Sequence, residues 1–432
     1  MPFRNKRRLK RALGLFEVSI YGIGVILGAG IYALIGKGAA SAGNSLWLAF
    51  LFGAIIASLT GLSYAELGTI YPKEAAEYVY SRKAFKKPSL SFLIGWLEIA
   101  VDVVAASTVA LGFGGYFYSL TGINPLIAAM GLVVVLSFIN FYGIKESAKF
   151  NIIFTLIEVF GLLLIIILGI NYFGSVNYFE SPSGFTGIFS ATILVFFAYI
   201  GFEEMVNVAE ETKKPKRVLP IAIIVSLIVT TIIYILVSLS VVSILPWNLL
   251  GASEAPLADV AGKALPGSSL LLSAVALFAT GNTVLIMLIV GSRMIYGMAH
   301  ERGVLPKSFS RIHSKRRTPW IAILTVMILT IGFISFGNIK MVAEITDLGT
   351  FLVFLTVNLS LIWLRYKKPR LKRVFKVPLS IGKLPIIPLL GILSILFMLM
   401  YFGLEIYLVC FAIILSGFFV YLLLRRKQVK FK

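Results

Sequence analysis

The sequence predicts an all-α integral membrane protein with twelve transmembrane helices, built as a 5+5 inverted repeat in which helices 1 and 6 are discontinuous. Three observations predict it. The chain of 432 residues is 59% hydrophobic, with a mean hydropathy of +0.94. A soluble domain is about 45–50% apolar, and stretches of about 20 apolar residues, enough to cross ~30 Å of hydrocarbon, recur along this one. The basic residues fall on one side of those stretches. Glycines interrupt two of the stretches, and these two lie five helices apart.

The apolar spans run over 14–36, 45–70, 90–118, 124–142, 150–173, 186–209, 219–244, 268–299, 319–337, 345–365, 385–403 and 405–424. With the N-terminus in the cytoplasm, the cytoplasmic segments are 1–13, 71–89, 143–149, 210–218, 300–318, 365–384 and 425–432. They hold 36 of the 40 Lys and Arg residues, against Lys37, Lys263 and Lys340 on the far side and Arg293 inside helix 8. The positive-inside rule then fixes an even helix count with both termini cytoplasmic. It also accounts for the net charge of +21, which in a soluble protein would point to nucleic acid; no nucleic-acid partner is expected here. The N-terminus is basic and leads into a functional-looking span, so it does not read as a cleaved signal peptide.

Helix 1 carries Gly22, Gly24, Gly28 and Gly30 within nine positions, each costing roughly 1 kcal/mol against alanine in a helix interior. Close helix packing is one explanation. The other is an unwound segment at 28–30, whose free N–H groups and half-helix N-terminus suit an anion such as a carboxylate. In helix 6, Gly201 interrupts an apolar run and Glu203 and Glu204 follow at once. A carboxylate near the bilayer centre costs at least ~2.5–3.5 kcal/mol, and 197–203 is read as half of a substrate site. Five is an odd number, so a repeat of five helices must be inverted. Residues 14–173 and 186–365 form the two repeats, 385–424 two appended helices, and 1–13 and 425–432 basic cytoplasmic tails. Interrupted helices in matching positions of inverted halves point to a transporter's central site.

Further polar residues are taken in chain order. Glu66, near the end of helix 2, is a gate residue or is solvated at the interface. Glu98 and Asp102 share one face of helix 3; Glu98 snorkels, and Asp102, two turns into the helix, is assigned to the substrate site. Glu158 in helix 5 is flanked by apolar residues, which suits exchange of a proton or the holding of a cation, with a structural pairing to Arg293 as the alternative. Asn282 and Thr283 offer oxygen ligands in the middle of helix 8. Asp347 caps helix 10 or faces the outer vestibule, with capping preferred. Cys410 is a lone thiol in the last span, which excludes disulfides, and His300 and His313 are loop residues rather than metal ligands. No metal site is certain, though a sodium ion near Glu158 and Thr283 is one option, and no cofactor is expected.

The chain resembles the amino acid–polyamine–organocation transporters, above all their prokaryotic amino acid permeases and the related cationic amino acid transporters. The resemblance rests on Gly28-Ala29-Gly30-Ile31-Tyr32, on Ser63-Tyr64-Ala65-Glu66-Leu67 leading to Tyr71-Pro72, and on Phe197-Ala198-Tyr199-Ile200-Gly201-Phe202-Glu203. It continues in Ala209-Glu210-Glu211 with Pro215, in Ser292 to Ala299, and in Arg317-Thr318-Pro319-Trp320. It implies the inverted-repeat fold and specific roles. Gly28, Ala29 and Gly30 present N–H groups to a substrate carboxylate; the carbonyls of Phe197, Ala198 and Ile200 take the α-ammonium beside Gly201; Phe197 closes over the substrate; Glu203 matches an acidic position used in proton sensing or release. Two positions depart from the pattern. Proton-coupled relatives place a lysine where this chain has Glu158, which leaves H⁺ and Na⁺ both open as the coupling ion. Glu74-Ala75-Ala76-Glu77-Tyr78 replaces a usual glycine pair in the loop after helix 2.

The expected function is therefore secondary active amino acid transport across the plasma membrane by alternating access, as ion-coupled uptake or exchange. Asp102, Glu158 and Glu203 favour a cationic substrate or a co-transported cation. A polyamine transporter, or a receptor or scaffold that binds amino acids without moving them, is the alternative. The chain is not expected to be an enzyme: no catalytic triad, metal cluster or phosphate loop occurs where water would reach it.

Overall fold

The computed structural model describes residues 13–72, 76–142, 147–206, 212–300, 305–316 and 318–429. The basic tail before Leu13, Glu74 and Ala75, the Ala209-Glu210-Glu211 motif, Arg317 and the side chain of His300 lie outside the described residues.

The protein is a helical bundle. Its helices are α1 (Leu15–Leu27), α2 (Ala29–Ala42), α3 (Leu46–Ile70), α4 (Ala76–Phe85), α5 (Pro88–Thr121), α6 (Pro125–Tyr142), α7 (Ser147–Gly169) and α8 (Gly184–Phe196), followed by α9 (Pro215–Ile244), α10 (Trp247–Ala252) and α11 (Pro256–Ala264). Then come α12 (Ser268–His300), α13 (Trp320–Ile334), α14 (Ile339–Lys367), α15 (Ile386–Leu399) and α16 (Leu404–Val429). A two-residue hairpin, β1 (Ser380–Ile381) with β2 (Leu384–Pro385), sits between α14 and α15.

Among the described residues, nine helical stretches are long and apolar enough to cross a membrane. The count differs from twelve for geometric reasons. Leu15–Ile70 runs as one stretch because Gly43–Ser45 continues as a tight 3₁₀ turn between α2 and α3. Trp320–Ile334 and Ile386–Leu399 are apolar but short; at 1.5 Å per residue they reach only ~21–23 Å. Apolar side chains lie exposed on α6 (Ile127, Phe138), α7 (Leu156, Phe160, Ile167) and α16 (Leu408, Phe411, Phe419). An apolar belt of that extent belongs against lipid.

The interior is organised around α5, which is buried over most of its length and lies along α12 and α14. On the other side α3 and α1 pack on α9, and α2 packs on α8. These contacts bring both glycine-interrupted segments to the centre. Helix 1 is broken at Gly28, which ends α1 and begins α2 with ψ −163°. Helix 6 is broken after Phe196: Phe197–Tyr199 is a 3₁₀ turn, Ile200 is extended, and Gly201 has φ +123° before a second 3₁₀ turn at Glu203–Val206. Only glycine adopts that φ without strain.

Candidate functional site

The two breaks touch each other. A Cβ built on Gly30 would fall 2.6 Å from Ala198 Cα, and one on Gly201 would fall 2.6 Å from Val25 Cγ1. Real contacts do not come so close, so glycine is what lets the two unwound backbones meet. The four glycines of helix 1 thus divide. Gly22 packs on Met205 and Ser226, and Gly24 packs on Thr155 of α7, which is the packing role; Gly28 and Gly30 serve the break.

The N-terminus of α2 lies in the middle of the protein, with its first N–H groups lacking intrahelical partners. Thr283 Oγ1 on α12 accepts from Ala29 N at 3.2 Å and donates to Ala279 O at 3.0 Å. It lies 2.7 Å from where a Gly28 Cβ would be. Thr283 is therefore a cap delivered from another helix. Across the gap, the Phe197 carbonyl accepts from Ile200 N at 3.3 Å and the Gly201 carbonyl from Glu204 N at 3.2 Å. The Ala198 carbonyl accepts from the Tyr234 hydroxyl at 2.8 Å. Among the described residues the Ile200 carbonyl has no hydrogen-bond donor. Phe197 itself is buried against these turns.

Tyr234 is the residue that sequence reasoning missed. It rises from the middle of α9, is fully buried, and its hydroxyl reaches both breaks: Ala198 O in helix 6 and Ile26 O just before the helix 1 break. A single tyrosine inside the apolar run Ile-Ile-Tyr-Ile-Leu was the available signal, because a buried phenol seeks a partner.

Glu158 lies beside the helix 1 break on α7. It is 1% exposed, and neither carboxylate oxygen has a hydrogen-bond partner among the described residues. Its backbone carbonyl accepts from the Tyr32 hydroxyl of α2 at 2.7 Å, and Asn282 of α12 adjoins its side chain. Glu158, Asn282 and Thr283 are thus brought together around 28–30. The expected alternative partner is not there: Arg293 is exposed on α12 and forms no ion pair with Glu158.

A second acidic group lies on the α4 side of the breaks. Asp102 and Glu98 on α5, Glu203 and Glu204 after Gly201, and Glu77 on α4 act on one another electrostatically. Glu98 is buried rather than snorkelling. Asp102 faces Gly291 of α12 and leaves Oδ2 without a partner among the described residues, so it joins this group rather than the clamp at 28–30. Glu203 Oε2 accepts from Gly201 N at 3.0 Å, which ties the carboxylate to the break. Glu77, on the short helix outside the spanning segments, is pushed up to about 7, chiefly by burial and further by Glu204.

Two other expectations are corrected. Glu66 is not solvated: it is fully buried and saturated with donors. It accepts from Arg365 Nε at 3.1 Å, from Arg365 Nη2, from Arg373 Nε at 2.9 Å and from Val377 N at 2.8 Å. Asp347 does not cap its helix, because α14 starts eight residues earlier and Asn338 caps it, accepting from Met341 N at 3.2 Å. Asp347 is instead fully buried within α14.

Residues 13–424 match the amino acid permease family. The chain belongs to that family. The permease is 33% identical to the branched-chain amino acid permease BcaP of Bacillus subtilis (strain 168), over 98% of this chain and 95% of the relative. It is 31% identical to the methylthioribose transporter of the same organism, over 89% of this chain and 87% of the relative. It is 27% identical to the vacuolar cationic amino acid transporter 4 of Arabidopsis thaliana, over 84% of this chain and 64% of the relative. The family and these relatives are transporters, not enzymes, and the permease is accordingly a multi-pass membrane protein of amino acid transport.

Proposed function

We propose that the permease is a secondary active transporter that carries one amino acid per cycle by alternating access, driven by a coupling ion. In this reading it sits in the plasma membrane with twelve transmembrane helices and both termini cytoplasmic. Helices 1–5 and 6–10 are inverted repeats. The observation that carries the proposal is the contact of two broken apolar helices at their breaks. A substrate carboxylate is received by the N–H groups at Gly28, Ala29 and Gly30, where the half-helix dipole favours negative charge. The α-ammonium is received by the carbonyl of Ile200, which has no donor among the described residues, and by those of Phe197 and Ala198 as their present partners give way. Gly201 gives the break its freedom to bend, and Phe197 covers the substrate.

Glu158 is the coupling residue in this reading. A proton or a sodium ion on Glu158, with Asn282, relieves a buried carboxylate that has no counter-charge among the described residues. Thr283 follows Asn282 directly and caps Ala29, so binding at Glu158 is linked through α12 to the carboxylate clamp. Glu203 takes the proton-sensitive role on the inner side of the break. The relatives' names extend from branched-chain to cationic amino acids and to methylthioribose. The buried carboxylates favour a substrate or co-substrate with positive charge.

The test is uptake into proteoliposomes of radiolabelled L-leucine, L-lysine and methylthioribose under imposed proton or sodium gradients. Saturable, gradient-dependent flux of an amino acid is expected, and absence of flux for every amino acid would sink the proposal. Glu158→Gln should abolish the dependence on the driving ion; wild-type pH and sodium dependence in that variant would remove Glu158 from the coupling role.

A further inference from the structure

Asp347 and Thr350 on α14 are buried polar residues without a use so far. Asp347 is 0% exposed, and neither of its carboxylate oxygens has a hydrogen-bond partner among the described residues. Thr350, one turn on, is 3% exposed and its hydroxyl is likewise unpartnered. The charge that acts on Asp347 is that of Glu344, itself an acid and paired with Lys340 at 3.8 Å. A proton on Asp347 would cancel the charge but add an O–H donor that also needs a partner. Two orphan groups at spacing i, i+3 lie on one helix face, so one missing partner serves both.

The position of that face identifies the partner. Asp347, Phe351, Phe354 and Asn358 form one stripe at i, i+4, i+7 and i+11. Phe351 meets Phe196 with ring centroids 4.6 Å apart, and Phe354 meets Phe202 at 5.3 Å. These two phenylalanines flank the break in helix 6 on either side. Asp347 stands one helical turn, about 6 Å along the helix axis, from the Phe351 contact. The opposite face of α14 is closed, with Gly349 packed on Val101 of α5.

We propose that Asp347, assisted by Thr350, receives the positively charged end of a basic amino acid's side chain. This rests on the reading of the two breaks as the clamp for the α-amino and α-carboxyl groups. The break holds what every amino acid shares; α14 reads the far end. The carboxylate accepts from the ammonium or guanidinium, the threonine hydroxyl accepts a further N–H, and the pair gives preference for lysine, ornithine or arginine over apolar side chains.

The experiment is equilibrium binding of L-lysine, L-arginine and L-leucine to the purified full-length protein in detergent, with and without sodium, for the wild type, Asp347→Asn and Thr350→Val. Asp347→Asn should weaken the basic amino acids by about tenfold to a hundredfold, the loss of one charge-assisted hydrogen bond, with leucine changed by less than about threefold. Thr350→Val should show the same selectivity with a smaller loss. Retained leucine binding certifies that a variant is folded. Equal loss for all ligands, unchanged lysine binding in both variants, or a sodium-dependent loss of leucine binding overturns the proposal. A wild type that binds leucine but no basic amino acid overturns it too, and leaves the transport reading standing. A wild type that binds no amino acid removes that reading and this one together.

Discussion

Glu66 and Glu158 are the same residue type, both fully buried among apolar helices, and they differ in every partner. Glu66 holds two guanidinium groups and a backbone N–H, joining α3 to the end of α14 and to the segment that leads to α15. Arg365 extends the cluster to Ser380 Oγ and to the Val377 carbonyl at 3.1 Å. Among the described residues no ion pair and no cationic group meets Glu158; only the neutral Asn282 side chain stands beside it. A carboxylate taken out of water is tolerable when donors surround it and expensive when they do not. Glu66 therefore explains itself as architecture, while Glu158, under the proposed function, is the place where a coupling ion would bind. Burial alone does not separate the two, nor does depth in the sequence. The hydrogen-bond inventory does.

The largest effect that tests this contrast is expected at Glu66. Glu66→Gln leaves the buried Arg365 and the half-buried Arg373 without a counter-charge and should destabilise the protein by about 3–5 kcal/mol. Unfolding followed in detergent by intrinsic fluorescence would show the loss as a large fall in Tm. A Tm unchanged from wild type would mean that the cluster is not structural.

A smaller effect of opposite sign is expected at Glu77, which stands between the two extremes: buried, and surrounded by other acids. Its carboxyl is raised from 4.5 to about 7 in the folded state, so the folded protein holds that proton more tightly than the unfolded chain does. Its contribution is fully present below pH 4.5 and is lost as the pH rises towards 7 and above. Glu77→Gln should accordingly leave Tm unchanged at pH 4.5 and raise stability at pH 8, by on the order of 2–3 kcal/mol. Equal Tm differences at both pH values would contradict it.

The smallest effect is expected at Thr283. Thr283→Val removes the acceptor for Ala29 N at the start of α2 and should cost about 1 kcal/mol, the usual loss of a cap. If Thr283 also relays binding from Glu158 to the clamp, the affinity for a substrate carboxylate should fall while the apparent ion affinity shifts with it. A stability loss with no change in substrate affinity would reduce Thr283 to a cap.

Membrane residence and the two helix breaks were legible in the sequence because their causes are local. About 20 apolar residues in a row cross a bilayer whatever surrounds them. Gly28, Gly30 and Gly201 mark places where a helix gains little by continuing, and a carboxylate two residues after Gly201 marks the second break as costly. The fate of each carboxylate was not legible in the same way. Asp347 reads as a cap because nothing local in the sequence marks the start of α14 at Ile339, and Glu66 reads as a gate or a solvated interfacial residue because Arg365 is 299 residues away in the chain. The cap on α2 comes from a threonine 254 residues downstream, and Tyr234 joins breaks 208 and 36 residues from itself.

The sequence by itself determined that this is a helical membrane protein with glycine-broken segments at its first and sixth spans, because hydropathy and backbone freedom are properties of short stretches. Only the tertiary structure decided which buried acids are satisfied and which wait for a partner. A hydrogen bond between helices depends on where two distant stretches are placed in space, and neither stretch carries that information alone.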